Sequence, residues 1–100
     1  EKVDLTTTNA TVLYTAPAAK TAVFKSILVS EDTGNADTIT VTITNAAAAV
    51  FSLFKIKAVA ANTTIELLTQ PLVVETGEII KLTAATANRL HVVASYMEIS

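Results

Sequence analysis

The sequence predicts an all-β fold, a single β-sandwich of about eight antiparallel strands with Greek-key or jelly-roll-like connections over residues 1–100. Short runs rich in valine, isoleucine and threonine recur at roughly ten-residue spacing, which is typical of a sandwich or barrel. Apolar and polar side chains alternate within several of these runs, and turn-forming residues separate them. A chain of 100 residues fits one domain with one core.

The recurring runs predict strands near residues 3–8, 11–15, 22–31, 37–45, 49–57, 63–68, 79–85 and 90–99. Three of the segments between them have clear turn chemistry. Pro17 cannot donate a ladder hydrogen bond, residues 32–36 (DTGNA) gather loop formers, and Gly77 in ETGE is expected to adopt a positive φ. Each of these segments therefore predicts a reversal of the chain.

The strand DTITVTITN, residues 37–45, has the most regular alternation. Ile39, Val41 and Ile43 are predicted to face the core, while the threonines between them face outward. The outward face carries no charge, so it suits either water or a flat contact with another protein. We therefore consider Thr40 and Thr42 as candidate contact residues.

Residues 45–62 (NAAAAVFSLFKIKAVAAN) leave a choice between helix and strand. Alanine, leucine and lysine favour a helix, but the larger side chains alternate with a period of two, which favours a strand. We predict a strand, with the four alanines 46–49 as a compact apolar hairpin tip. One helical turn at the alanines is the alternative.

The last predicted strand is apolar on both sides. Leucine, valine, alanine and tyrosine lie on one side, and Val93, Met97 and Ile99 lie on the other together with His91 and Ser95. Two apolar sides suit a central strand, or a strand with a neighbouring subunit over its second face. Val93, Met97 and Ile99 are therefore further candidate contact residues.

Charge and composition argue against several functions. The net charge is −2, and the lysines are scattered, so no basic stripe is available for nucleic acid or an anionic membrane. There is no cysteine, which removes thiolate chemistry and cysteine metal sites. The longest charge-free run, residues 38–54, is rich in threonine and does not match a membrane-spanning helix.

No combination of residues predicts catalysis or a cofactor site. The one histidine, His91, is four strand residues and thus ~13 Å from Ser95. Glu75 with Glu78, and Glu31 with Asp32, lie at predicted turns, where solvated acids are ordinary. We therefore predict no enzyme, no catalytic residues and no cofactor.

The loop EDTGNAD, residues 31–37, is the best candidate for a metal site. Glu31, Asp32, Asn35 and Asp37 could offer oxygen ligands to calcium, but their spacing does not match an EF-hand. The alternative is a hairpin loop in which Asp32 and Asn35 cap backbone amides. We predict no metal site and leave calcium at this loop as the alternative.

Three segments carry a family resemblance: TVLYTAPAAKTAVFKSILVSE (11–31), DTITVTITN (37–45) and ANTTIELLTQPLVVETGEIIKLTAATANRLHVVASYMEI (61–99). Their order resembles that of small structural proteins of tailed-bacteriophage virions. The resemblance implies a non-enzymatic β-sandwich on the surface of a phage particle. Decoration (cement) proteins of this kind sit at symmetry axes of the head, often as trimers, and clamp neighbouring coat subunits. The four alanines after Asn45 depart from the polar turn expected there.

We therefore expect a capsid decoration protein that binds the major capsid protein or other virion proteins, as a homotrimer by preference. A tail, neck or fibre-associated module of the same virion is the first alternative. A carbohydrate-binding or adhesin domain is the second alternative. Its only candidate binding residues are Tyr14, Tyr96 and those of the loop at residues 31–37. The candidate subunit-contact residues are Thr40, Thr42, Val93, Met97 and Ile99, with the alanine tip at residues 46–49 as an outside candidate.

Overall fold

The protein is described by a computed structural model that covers residues 2–99. Within that range it contains nine strands and no helix, so the predicted all-β class is confirmed. The strands are β1 (Lys2–Asp4), β2 (Thr11–Thr15), β3 (Thr21–Glu31), β4 (Asp37–Thr44), β5 (Val50–Val59), β6 (Thr64–Glu66), β7 (Leu72–Val74), β8 (Ile79–Ala84) and β9 (Leu90–Ile99).

The strands form two antiparallel sheets that pack face to face. The first sheet has the order β1-β9-β3-β6, with β7 also paired to β3, and the second has the order β2-β8-β4-β5. The pairs are nested: β1 joins β9, β2 joins β8, β3 joins β6 and β7, and β4 joins β5. This is the nesting of a jelly roll, in which a long antiparallel ribbon is rolled into two sheets.

Strands β6 and β7 together occupy one position in this topology. β6 pairs with the end of β3 at Leu28, and β7 pairs with its beginning at Val23. Residues 67–71 leave the ladder between them, opposite a β-bulge in β3 between Phe24 and Ser26. Strand β7 was not predicted, because three residues that follow a proline are too short to show alternation.

A single core lies between the two sheets. Its members alternate along each strand with outward-facing residues, as the period of two requires. Phe24 is fully buried, and its ring packs against Tyr14 and Tyr96 at centroid distances of 5.2 and 4.9 Å. The predicted inward positions Ile39 and Val41 are also fully buried, while Ile43 packs against the core at its margin.

The segment after β4 is a hairpin, as predicted, and the helical alternative is wrong. The side chain of Asn45 accepts hydrogen bonds from the amides of Ala47 and Ala49, at 3.0 and 2.9 Å, which fixes the loop. Ala48 adopts a φ of 66°, and strand β5 starts at Val50. Gly77 has a φ of 83°, as expected, and a Cβ atom there would lie 3.3 Å from the Cβ of Ala46.

Candidate functional site

The outer face of the first sheet, meaning the side that points away from the second sheet, exposes apolar residues on β3, β7 and β9 among polar ones. Val73, Val23 and Met97 lie side by side on β7, β3 and β9. Leu28 and Val93 form a second cross-strand pair on the same face, and Ile99 extends it at the end of β9. Met97 and Ile99 are each 49% exposed. Strand β9 is thus a central strand with an uncovered apolar second face.

Charged residues stand at the two ends of one row on this face. Lys2 on β1 is the register partner of Val93, and Glu66 on β6 is the register partner of Leu28. The row therefore runs Lys2, Val93, Leu28, Glu66 across four strands, with opposite charges at its ends. Between this row and the Met97 row lie the serine pair Ser26 and Ser95 and, at the β3 bulge, the exposed Lys25.

Glu66 is held in place by hydrogen bonds at the β3 bulge. Its carboxylate accepts from the amides of Ile27 and Leu68, at 2.8 and 3.2 Å, and from the hydroxyl of Ser26. Glu66 as a whole is exposed, and the partial desolvation of its carboxyl raises the pKa, but the hydrogen bonds outweigh this effect and lower the pKa. Glu66 is therefore a fixed negative charge on the outer face.

The predicted threonine contact lies on the opposite side of the molecule. Thr40 and Thr42 are half-buried on the outer face of the second sheet, where β4 is a central strand. The hydroxyl oxygen of Thr40 accepts a hydrogen bond from the amide of Ile56 at 3.1 Å, so this side chain also has a role in the fold. The five predicted contact residues thus divide between two faces, and one flat partner covers only one of them.

Strand β5 exposes a second apolar surface next to the alanine tip, and the sequence predicted none of its strand residues as a contact. It is an edge strand of the second sheet, and Val50, Phe51 and Ile56 are 63%, 55% and 64% exposed. With the alanine tip, residues 46–51 form six consecutive exposed apolar residues. The charge-free run 38–54 was the available signal, but it does not by itself distinguish core from surface.

An apolar groove borders this edge. It has a volume of about 270 Å³ and lies between β5 and the segment that leaves the ladder after β6. Leu53 and Phe54 form one wall, and Leu68, Pro71 and Leu72 form the other. A wider groove of about 760 Å³ lies between the far end of β5 and the start of β6. The edge of the second sheet at β5 and the edge of the first sheet at β6 are therefore separated by an open groove at two places.

The loop at residues 31–37 is a capped turn. Glu31 is 1% exposed, and its carboxylate accepts hydrogen bonds from the amides of Thr33, Gly34, Asn35 and Asn62 at 3.0 to 3.2 Å, and from the Thr33 hydroxyl. Because both oxygens face N–H and O–H donors, they are not directed at a cation. Within residues 2–99, no three acidic or histidine side chains are grouped to hold a metal ion. The geometry therefore favours a capped loop over calcium, but the capping side chain is Glu31 and not the expected Asp32 and Asn35.

These hydrogen bonds determine the charge state of Glu31. Burial by itself raises the pKa of the carboxyl, but the bonds from the Thr33 hydroxyl and from the Asn62, Thr33 and Gly34 amides lower it from 4.5 to about 2. The carboxylate thus stays ionised and joins the β3–β4 loop to the β5–β6 loop.

His91 lies between two carboxylates. Its Nε2 is 3.3 Å from Asp4 and its Nδ1 is 3.6 Å from Asp32. Both ring nitrogens thus face acids, whereas a serine triad needs one of them to face the nucleophile. Glu75 and Glu78 share a turn in which the Glu75 amide donates to the Glu78 side chain at 2.7 Å. The paired acids considered from the sequence are engaged in local structure.

The tyrosines considered for carbohydrate binding pack into the core. Tyr14 is 6% exposed, and its hydroxyl donates to Glu98 at 2.6 Å. Tyr96 is half-buried, and its ring packs against those of Tyr14 and Phe24. Neither ring forms an exposed platform for a sugar, so these two tyrosines do not support the carbohydrate-binding alternative.

Residues 2–99 form no helix of the length and apolar character that crossing a membrane requires. Comparison of the chain with models of protein families, with curated protein sequences and with solved structures gives no match in any of the three.

Proposed function

We propose that this protein is a structural protein of a tailed-phage virion, which binds the outside of the head as a decoration protein and stabilises contacts between coat subunits. The observation that carries the proposal is the exposed apolar run at residues 46–51. In a globular domain, such a run at a hairpin tip is a liability unless another protein covers it. Asn45 holds the loop in one conformation, so little ordering entropy opposes its docking.

The mechanism is the burial of apolar surface. The tip residues and Phe51 contact the coat, and the adjoining groove along Leu53 and Phe54 accepts a side chain from it. A single contact of this size is weak, but many copies on one shell add avidity. A jelly roll is a common fold among viral structural proteins, which supports the proposal by analogy alone. The sequence resemblance at residues 11–31 and 61–99 supports it in the same direction.

The test is binding of the purified protein to phage heads that lack it. Phe51→Lys places a charge on the 55%-exposed tip residue and is expected to reduce occupancy at least tenfold, because the contact would have to bury an unpaired ammonium group. Val12→Lys is the matched control, since Val12 is 49% exposed on β2, away from the tip. Occupancy is measured by gel densitometry of washed particles.

Equal occupancy of the two variants would reject the tip as the contact. A reconstruction of the intact particle tests the location. Density for this jelly roll on the head would support the decoration role. Density on the tail, neck or fibres would instead support a tail, neck or fibre-associated module.

A further inference from the structure

We propose that the outer face of the first sheet is a self-association surface, on which a second copy of this chain packs face to face about a two-fold axis. The axis runs parallel to the strands and passes between β3 and β9. The inference rests on the proposed assembly role of the chain, and it assigns one partner to a surface that the contact with the coat leaves free.

The register of the charged row supports this partner. Rotation by 180° about such an axis reverses the order of the strands in each row, so β9 of one copy faces β3 of the other. The row Lys2, Val93, Leu28, Glu66 then lies against its own reversed copy. Val93 contacts Leu28 of the second copy, and each lysine meets the Glu66 carboxylate of the second copy. The two-fold rotation places each end of the row against the opposite end of its copy, so opposite charges meet at both ends.

The rows beside it are compatible with the same axis. Met97 on β9 meets Val23 on β3 of the second copy, and the small residues Ser95 and Ser26 face each other. Along β9, His91 lies opposite Ser30 in the ladder, so the same rotation places these two polar residues together. Among the ladder-paired residues that the structure describes on this face, no row brings two like charges together. Lys25, which is exposed at the β3 bulge, lies near the axis in both copies, and its long side chain has to extend out of the contact to keep the ammonium group in water. Two aligned β-sheets packed at ~10 Å are an ordinary arrangement in sandwich proteins.

The available area is adequate for a specific dimer. The molecule measures 41 × 23 × 19 Å. A face spanned by the long dimension and either of the shorter ones covers roughly 800 to 900 Å², close to the ~800 Å² per partner that a specific interface typically buries. Five exposed large apolar residues lie on it: Leu28, Val73, Val93, Met97 and Ile99. This two-fold contact differs from the three-fold symmetry that the family resemblance implies.

The first experiment measures the mass of the purified full chain by light scattering, without any virion component. The wild type is expected at twice the chain mass of 10.5 kDa. Val93→Lys is expected to give the monomer mass, because it places a charge opposite Leu28 of the second copy. Val12→Lys, at a similarly exposed valine on the second sheet, is expected to remain a dimer. A wild-type monomer or trimer, or equal masses for the two variants, would overturn the proposal.

The second experiment tests which face is buried. The chain has no cysteine, so one introduced thiol reports on one position. Ser95→Cys lies close to the proposed axis, whereas Ser52→Cys is an equally exposed position on the opposite sheet. A short bismaleimide is expected to cross-link the Ser95→Cys protein into dimers at least tenfold faster than the Ser52→Cys protein. Equal rates, or faster linkage at position 52, would contradict the assignment.

These results are independent of binding to the head. Loss of the dimer in Val93→Lys with normal occupancy on phage heads would still identify the self-association face. A dimeric Phe51→Lys protein that fails to bind heads would separate the two surfaces.

Discussion

At the scale of single residues, the most unusual feature is Ile56. It adopts a φ of 54°, a left-handed conformation that β-branched residues rarely occupy, and its side chain is 64% exposed. Its position is a β-bulge, because Ile39 pairs with Lys57 while Val41 pairs with Phe54. The Thr40 hydroxyl holds the bulge by accepting from the Ile56 amide. The bulge and the flanking lysines make this half of the edge a poor template for further strands.

Replacing Ile56 by asparagine is expected to stabilise the fold by about 1 kcal/mol, because asparagine tolerates the left-handed region and little buried surface is lost. Thermal unfolding should show a rise in Tm of about 4–8 °C for a domain of this size. The matched control is Val50→Asn, an equally exposed β-branched residue on the same strand without a positive φ. If both variants shift the Tm equally, the backbone conformation of Ile56 is not the cause.

At the scale of elements, two carboxylates, one buried and one on the outer face of the first sheet, hold the loops and bulges that the ladder leaves unpaired. Glu31 ties the β3–β4 loop to the β5–β6 loop through the Asn62 amide, and Glu66 fills the bulge of β3. Each satisfies several backbone amides that have no partner in the sheet. A lowered pKa in the folded state makes both groups sensitive to acid.

Stability is expected to fall as the pH drops from about 4.5 to about 2. The pKa of Glu31 is lower in the folded chain than in the unfolded chain, so its contribution is complete above 4.5 and is lost as the pH falls through the folded value. Urea midpoints for wild type and Glu31→Gln should differ most at neutral pH and converge toward pH 2. Glu66 acts in the same direction, so the variant keeps part of the acid sensitivity.

Glu75→Gln is the control for this experiment, since Glu75 lies exposed on the turn at residues 75–78. It is expected to follow the wild-type curve across the whole pH range. A gap between wild type and Glu31→Gln that stays constant down to pH 2 would mean that the carboxylate charge is not what holds the loop.

At the scale of the whole molecule, large apolar residues occur both in the core and on the surface. Phe24 is fully buried in the aromatic cluster with Tyr14 and Tyr96, whereas Phe51 is 55% exposed on the edge strand. Among residues 2–99, nine large apolar side chains remain exposed, and they lie mainly on the outer face of the first sheet and along β5. The core stabilises the jelly roll, and the exposed set is available for partners.

Phe24→Ala is expected to lower the free energy of unfolding by about 3–5 kcal/mol, because it leaves a cavity between the sheets. That is a large part of the ~5–15 kcal/mol that holds a domain of this kind together. Phe51→Ala should change the free energy of unfolding by less than about 1 kcal/mol. Chemical denaturation at a concentration where both proteins are monomeric makes the comparison. Similar losses in the two variants would mean that Phe51 is also part of the core.

The sequence by itself determined the class of fold and most of the strands. Alternation places Ile39 and Val41 in the core, and Gly77 marks its turn, because these are local properties of a few neighbouring residues. It also identified Val93, Met97 and Ile99 as apolar residues on the second face of β9, where the structure leaves them exposed.

Only the tertiary structure decided which strands are edges and which faces are covered. Residues 50–54 alternate as a core strand would, but β5 has one neighbour, so Phe51 is exposed. Likewise, Glu31 looked like a metal ligand until Asn62, distant in sequence, supplied a fourth amide donor. The physical reason is the same in both cases. Burial and hydrogen-bond partners depend on pairings between distant segments, and local periodicity contains no information about them.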